Sequence, residues 1–550
     1  MPISLKLQKE ERPWFYSSSL IAACISLPII AVLFLALSPE ENAWPHLINT
    51  VLPSYLKNTV ILMAGVGSLS LVIGIGTAWL VSMYDFPAKK ILSWALLLPF
   101  AVPAYVIAYT YTDFLEYAGP IQKTLRELFG WNSARDYWFP EIRSMGGAIV
   151  MMSLVLYPYV YMLAKAAFME QSASLYRSSR SLGTSPKQFF FRVSLPIARP
   201  AIAVGLSLVL METLNDFGTV DYFAVRTLTS GLYDTWLNMG NIGGAAQIAL
   251  LMVAVVVLLI SLERYSRRKQ KQFHPRGNGD PIPEIKLSGK KATIAFLCAF
   301  TPVLLGFIFP VTLLSVYAIE YFDISWSNNF FGYALNSFAL ASSASFITLV
   351  LGLVLAYSNR MNRNKATQFL VNISSLGYAV PGTVLAIGII IPFAAFDNLV
   401  DGAMRSYFDF SSGLILSGTA FAIVFSYSVR FLAVSSGSVE SSLSQVTPQM
   451  DMASRSLGNS HLKTLIQVHL PIIKKGALTG MLVVFVDCLK ELPATLILRP
   501  FNFETLATQV YQFASDELLE QSALSALVIV LVGVIPVIFL DRSISKKGLN

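Results

Sequence analysis

Cysteine is nearly missing from this 550-residue chain. Cys24, Cys298 and Cys488 are the three present, far apart and all within apolar runs, so no disulfide framework is implied and each reads as a small buried hydrophobe. Histidine is as scarce: His46 and His274 stand alone, and His461 and His469 are too far apart for the i, i+4 pair of a helical metal site. Charged residues supply only 13% of the chain. Walker A, zinc-protease and nucleophile-elbow motifs do not occur in it. Enzymatic chemistry, a bound cofactor and a metal centre are therefore not expected, and no residue is put forward as catalytic.

What the chain has instead is apolar sequence. Hydrophobic residues make up 55% and the mean hydropathy is +0.60, with blocks of about 20 residues, the length that crosses roughly 30 Å of hydrocarbon. A soluble enzyme can match the length but not these runs. The expected class is an all-α polytopic membrane protein. Spans are expected near 15–37, 58–84, 91–111, 147–168, 198–222 and 243–262, then 292–318, 336–357, 368–396, 414–434, 477–498 and 523–540. The first follows Lys6, Lys9 and Arg12 as a signal peptide would, but its apolar core exceeds the usual 7 to 15 residues or so. It is expected to be a retained span.

Between the two groups of six lies a basic, Gly- and Pro-rich stretch without apolar period, read as a water-exposed linker. The expected organisation is a first half over 1–262, a linker over 263–291 and a second half over 292–550. Lysine and arginine fall mostly in alternate loops: the N-terminus, Lys89 and Lys90, the linker, Arg360, Arg363 and Lys365, and Arg542, Lys546 and Lys547. By the positive-inside rule these loops and both termini belong in the cytoplasm. The net charge of +8 thus reflects topology, and nucleic acid is not an expected partner; membrane lipid is.

The halves are copies. RSSRSLGTSPKQFFFRVSLP recurs as MASRSLGNSHLKTLIQVHLP, with 275 positions from Gly183 to Gly458 and from Pro196 to Pro471. LKNTVIL around Asn58 matches ALNSFAL around Asn336, and AVPAYVIA around Pro103 matches AVPGTVLA around Pro381, each 278 positions apart. Duplication in one orientation implies two halves related by an axis along the membrane normal, with a route between them. Within each repeated loop (170–199 and 440–475), a helix is expected to end at Gly183 or Gly458. An amphipathic segment follows, with Phe189, Phe190 and Val193 or Leu462, Leu465 and Val468, and then Pro196 or Pro471 just ahead of the next span. A soluble partner can cover such an apolar stripe, and so can the lipid interface.

This loop resembles the EAA loop of bacterial ABC importer permeases: Glu-Ala-Ala, three residues, Gly, nine residues, Ile, one residue, Leu-Pro. Gly183, Val193, Leu195 and Pro196 fit, as do Gly458, Val468, Leu470 and Pro471. The Glu-Ala-Ala positions hold Arg177-Ser178-Ser179 and Met452-Ala453-Ser454, so the acid is missing from both. Asp451, one position earlier, is a substitute in the second copy only. The fused 12-span form most resembles the ferric-iron transport permeases, through NDFGTVDYF with RTLTSGLYDTWLNMGN, and CLKELPATLILRPFNFETLATQVYQFASDE. Permeases for thiamine, phosphonate, sulfate or polyamines share much of this pattern. The resemblance implies two copies of an ATPase subunit docked on the loops, ATP and magnesium used by that partner, a periplasmic binding protein delivering substrate, and a place in the inner membrane. A secondary transporter driven by an ion gradient, or a membrane scaffold, would not need the loops.

The acids Glu212 and Asp216, matched by Asp487 and Glu491 with Lys490 between, lie within expected spans. Each pair is spaced i, i+4 and reads as one helical face. A charge at mid-bilayer costs about 2.5 to 3.5 kcal/mol on insertion scales, so these side chains are expected to face the interior, as a route, a gate or a polar network between the halves. Pro103 and Pro381, expected in mid-span, are read as kinks or bends lining the path.

Overall fold

The computed structural model describes residues 12–38, 42, 44–267, 284–326, 328–362, 364–444 and 446–547. Lys6, Lys9, Arg363, the body of the linker (268–283) and the side chains of Arg542, Lys546 and Lys547 lie outside the described residues. The chain is all-α apart from one small sheet among the described residues, where Tyr84–Asp85 pairs in parallel with Ile285–Lys286. The far end of the expected linker thus carries a short strand. Its near end is helical as well, because Ile242–Arg267 continues past the expected boundary at 262.

Among the described residues, ten helices are long and apolar enough to cross a membrane, or eleven if a pair bent by 91° at Val102-Pro103 counts as one span. The expected twelve is not reached on that basis. The helix Leu470–Leu489 has 20 residues but carries Lys474, Lys475 and Asp487. Pro103 and Pro381 are also not in mid-helix. Each caps the start of a helix (Ala104–Leu115 and Gly382–Phe408) with nearly the same extended backbone, φ −61° ψ 144° and φ −56° ψ 144°. A 3-10 turn precedes each, Leu98–Ala101 and Leu376–Ala379. A prolyl nitrogen has no hydrogen to donate, so a helix start is where it leaves no backbone acceptor wanting.

By internal packing the chain forms two compact units: Met1–Ala43 with Thr235–Leu250 and Phe331–Thr508, and Trp44–Asp234 with Leu251–Phe330 and Gln509–Asn550. These units are not the sequence halves, because the first span of each repeat packs with the core of the other. In the first unit the Pro28 carbonyl lies where a Cβ on Gly388 would be 2.2 Å away, and Trp14 meets Tyr357 edge-on at 4.6 Å. In the second unit Gly306 packs on the Leu154 carbonyl and Pro99, and the Tyr111 hydroxyl donates to the Leu305 carbonyl at 2.8 Å.

Repeat-related glycines set the helix spacing inside each unit. A Cβ at Gly74 would stand 2.7 Å from Val160 Cβ, and one at Gly205 would stand 2.9 Å from Val160 Cα. Their counterparts Gly352 and Gly480 meet Ser436 N at 3.0 Å and Ser438 Cβ at 2.5 Å. With lipid on the outside there is no hydrophobic force between helices, so close backbone approach at small residues supplies the attraction. Asn58 and Asn336 tie their helices to a loop in matching fashion: each side-chain amide donates at 2.9 Å to a loop carbonyl, of Arg226 and Glu504 respectively.

Gly205→Ala and Gly480→Ala are therefore expected to destabilise the purified protein by about 1–3 kcal/mol each through overpacking. Gly76→Ala, with nothing within 4 Å, is not. Thermal unfolding in detergent tests the contrast, and equal midpoints for all three would contradict it.

Candidate functional site

Both copies of the loop fold alike. The first helix, Ala173–Ser181 or Pro448–Ser456, ends in a Schellman motif. Gly183 N donates to Arg180 O at 3.0 Å and Thr184 N to Ser179 O at 3.3 Å; Gly458 N donates to Arg455 O at 2.9 Å and Asn459 N to Ser454 O at 3.2 Å. Both glycines have φ +79°, a region closed to most side chains. The third position of each Glu-Ala-Ala triplet is buried and ties the turn. The Ser179 and Thr184 hydroxyls are 2.5 Å apart, and those of Ser454 and Thr464 are 2.8 Å apart. Arg177, Ser178, Met452 and Ala453 face outward. So do Leu182 and Leu457, with 84% and 82% of their surface open.

A second helix then starts at Ser185 or Ser460, each capping its own turn. It does not stop at the proline. A π turn, Phe190–Ser194 or Leu465–His469, leads straight into Leu195–Asn215 or Leu470–Leu489. The wider turn accommodates Pro196 and Pro471 in an unbroken helix. Phe189 and Leu465 are buried, but Leu462, expected in the inward stripe, is exposed.

The two loops are tied to their own cores by different chemistry. In the second, Asp451 accepts from Arg360 Nε at 3.0 Å and Nη2 at 2.7 Å, and meets His469 Nε2 at 2.5 Å. Arg360 also donates to the carbonyls of Leu443 and Val446 at 2.8 and 2.9 Å. The Tyr357 hydroxyl donates to the His461 carbonyl at 2.7 Å. In the first loop Tyr176 stands in place of Asp451 and meets Phe189 edge-on at 5.1 Å, while Trp79, the counterpart of Tyr357, packs on Phe190 at 4.7 Å. Ser194, in the place of His469, donates to Gln171 Oε1 at 2.7 Å and accepts from Gln171 Nε2 at 3.1 Å. Asp451 thus ties the second loop through an ion pair with Arg360, where the first loop has aromatic packing at the matching positions.

The intramembrane acids do not share one helical face, because each helix breaks between them. Leu195–Asn215 ends before Asp216, and Leu470–Leu489 ends before Lys490 and Glu491. Asp216 accepts from the Thr219 and Val220 amides at 3.0 and 3.2 Å and from the Thr219 hydroxyl at 3.1 Å. Glu491 accepts from the Ala494 and Thr495 amides, both at 3.2 Å, and from the Thr495 hydroxyl at 3.0 Å. Each acid caps the short helix that resumes beyond the break. Asp487 pairs with Lys490 at 2.9 Å, and Glu212 acts electrostatically on Asp216. Asp216, Asp487 and Glu491 make these contacts within their own repeats.

Glu491 also pairs with Arg430 at 3.3 Å, with side chains 2% and 7% exposed. Pro381-Gly382 closes over that pair: a Cβ at Gly382 would lie 2.6 Å from Glu491 Oε1 and 2.8 Å from Arg430 Nη1. The first repeat has Ala104 at this position and no arginine in Met145–Met169. Sequence reading missed Arg430, Arg360 and His469. A lone arginine inside the apolar stretch FSYSVRFLAV was the available signal, since such a charge needs a partner.

Residues 70–272 and 348–547 each match the family described as binding-protein-dependent transport system inner membrane component. The chain is 26% identical over 541 residues, 96% of its length and 99% of the relative's, to the Fe(3+)-transport system permease protein FbpB 2 of Haemophilus influenzae. It is 23% identical to the ferric transport system permease protein FbpB of Actinobacillus pleuropneumoniae, over 87% of this chain and 70% of that one. Over 36% of the chain it is 30% identical to the molybdenum transport system permease protein ModB of Escherichia coli, covering 88% of that protein.

Two outcomes follow for the second loop. Asp451→Asn removes a mostly buried charge from Arg360 and is expected to cost about 1.5–3 kcal/mol; hydrogen exchange should rise over 448–469 and not over 173–194. Burial holds the His469 imidazole below the usual histidine range, with Asp451 opposing and Arg360 assisting. Its Nδ1 is buried without a partner, so the neutral form, donating from Nε2 to Asp451, is the one that fits. A depressed folded value means stability is full above the unfolded value of about 6.5 and is lost as pH falls through the lower folded one. Protection of 448–469 should drop on acidification, and less so in His469→Gln; parallel loss in both loops would contradict this.

Proposed function

Because this chain belongs to the family of binding-protein-dependent transport system inner membrane components, we propose that it is the permease of an ATP-driven importer for ferric iron. The substrate rests on similarity to ferric permeases along nearly the whole chain; the molybdenum relative matches over about a third of it. Two copies of an ATPase subunit, using ATP and magnesium, dock one on each loop, and a periplasmic binding protein delivers the ion from the other side. Both termini and both loops lie in the cytoplasm, as the distribution of lysine and arginine implies.

The observation that carries this reading is the pair of loops with the same Schellman turn, the same π turn and the same outward leucine. A rigid hook with an apolar tip suits a soluble partner better than random surface does. Its helix runs unbroken into a span that ends at an acid-capped break. A push on the hook is thereby carried along a stiff rod to the point where backbone geometry changes. For ATP to drive import, the ATPase must bind two states of the permease unequally, since equal binding moves nothing.

Vesicles containing the permease, its ATPase and its binding protein should accumulate ferric iron only with ATP. Accumulation of molybdate or sulfate instead would reassign the substrate. Gly183→Val and Gly458→Val meet no steric neighbour within 4 Å but force a β-branched residue to positive φ, at about 1–2 kcal/mol or more. Both should insert normally and lose ATP-dependent uptake; unchanged uptake in both would count against the hook.

A further inference from the structure

Tyrosines and carboxylates collect near the first helix break. The Tyr511 hydroxyl donates to Asp221 Oδ2 at 2.7 Å. The Phe217 ring contacts Tyr233 at 4.3 Å and Tyr511 at 5.7 Å between centroids. Tyr233 and Tyr511 are equivalent positions of the two repeats, 278 residues apart. Equivalent side chains of two copies related by a rotation approach one another only near the rotation axis, where a route between the copies would run.

Tyr109 supplies the second observation. It is fully buried, and its hydroxyl has no hydrogen-bond partner. Its strongest electrostatic neighbours are Tyr511, Tyr105, Asp216 and Asp221, and its ring packs on Tyr222 at 4.4 Å. Burying an unpartnered hydroxyl is destabilising, where phenylalanine would pack as well at no such cost. Asp234 and Glu212 act on Asp221 and Asp216 in turn, so the surroundings favour positive charge. Asp221 is exposed, which gives the cluster access to water.

We propose that Tyr511, Asp221 and Tyr109 form a transient oxygen-ligand site for a hard trivalent cation on the transport route. The proposal deepens the ferric-iron reading and rests on it. Among the described residues no three His, Cys, Asp or Glu side chains gather to hold a metal, so phenols must complete any such set. Oxygen donors alone select hard cations over those that prefer nitrogen or sulfur. The phenols are neutral while the site is empty. Binding exchanges each O–H bond for an O–Fe(III) bond, and the proton leaves to water by way of Asp221. Occupancy therefore has to displace protons, which keeps binding weak enough for onward release.

The test uses the full chain in lipid nanodiscs, titrated with ferric nitrilotriacetate. A visible phenolate-to-iron(III) charge-transfer band is expected, suppressed by gallium(III) and not by zinc. Tyr511→Phe and Asp221→Asn should each weaken iron binding by at least about tenfold, the loss that even an outer partner of a metal site costs. Tyr109→Phe should weaken the band while the protein elutes as the unaltered chain does and melts no lower, since the lost hydroxyl has no hydrogen-bond partner. No band in the unaltered chain, or an undiminished band in Tyr511→Phe and Asp221→Asn, would overturn the site. ATP-driven vesicles separate the two readings. A band without ferric uptake by the unaltered chain leaves the site standing and removes the importer assignment; uptake without a band does the reverse.

Discussion

Hydrocarbon offers no hydrogen bonds, so any interruption of a membrane helix must satisfy its own backbone. This constraint organises the centre of both repeats. At the break after Asn215 and again after Leu489, an acid turns back onto the amides three and four residues ahead and onto a threonine hydroxyl. The carboxylates therefore satisfy the amides that each break leaves open. In the second repeat the same carboxylate also neutralises Arg430, and glycine at position 382 is what leaves room for that pair. The prolines that open Ala104–Leu115 and Gly382–Phe408 solve the same problem from the other side, since a helix beginning at proline has one fewer donor to satisfy.

The duplicated scaffold is symmetric in backbone and unequal in side chains. Schellman turns and π turns recur 275 positions apart, and the asparagines that reach a loop carbonyl recur 278 apart. The contacts that hold each loop do not: Arg360, Asp451 and His469 in one, Trp79, Tyr176 and Phe189 in the other. An ionic tie responds to protons and salt, whereas aromatic packing does not. A motor pulling on both hooks would meet two anchors of different chemistry.

Much is legible in the amino-acid sequence. Apolar runs and the recurrence of Gly183 and Pro196 at Gly458 and Pro471 defined a duplicated all-α membrane protein, because transfer into lipid depends on local composition. The positive-φ glycines were readable for a similar reason: a helix stop is a short-range event. The i, i+4 spacing of Glu212 with Asp216 misled, because periodicity cannot reveal that a helix ends between the two residues. Pro103 and Pro381 misled likewise, since a proline in an apolar run can kink a helix or begin one.

Sequence by itself determined the class, the duplication, the position of both loops along the chain and the presence of charge within apolar stretches, all of which follow from composition and local backbone preference. Only the tertiary structure decided which charges meet. Arg430 with Glu491, Arg360 with Asp451 and Tyr511 with Asp221 join residues 61, 91 and 290 positions apart. Packing also decided that each repeat's first span joins the core of the other. An apolar helix presents much the same face to any apolar partner, so its neighbour is chosen by glycine spacing and side-chain fit, which exist only once the chain has folded.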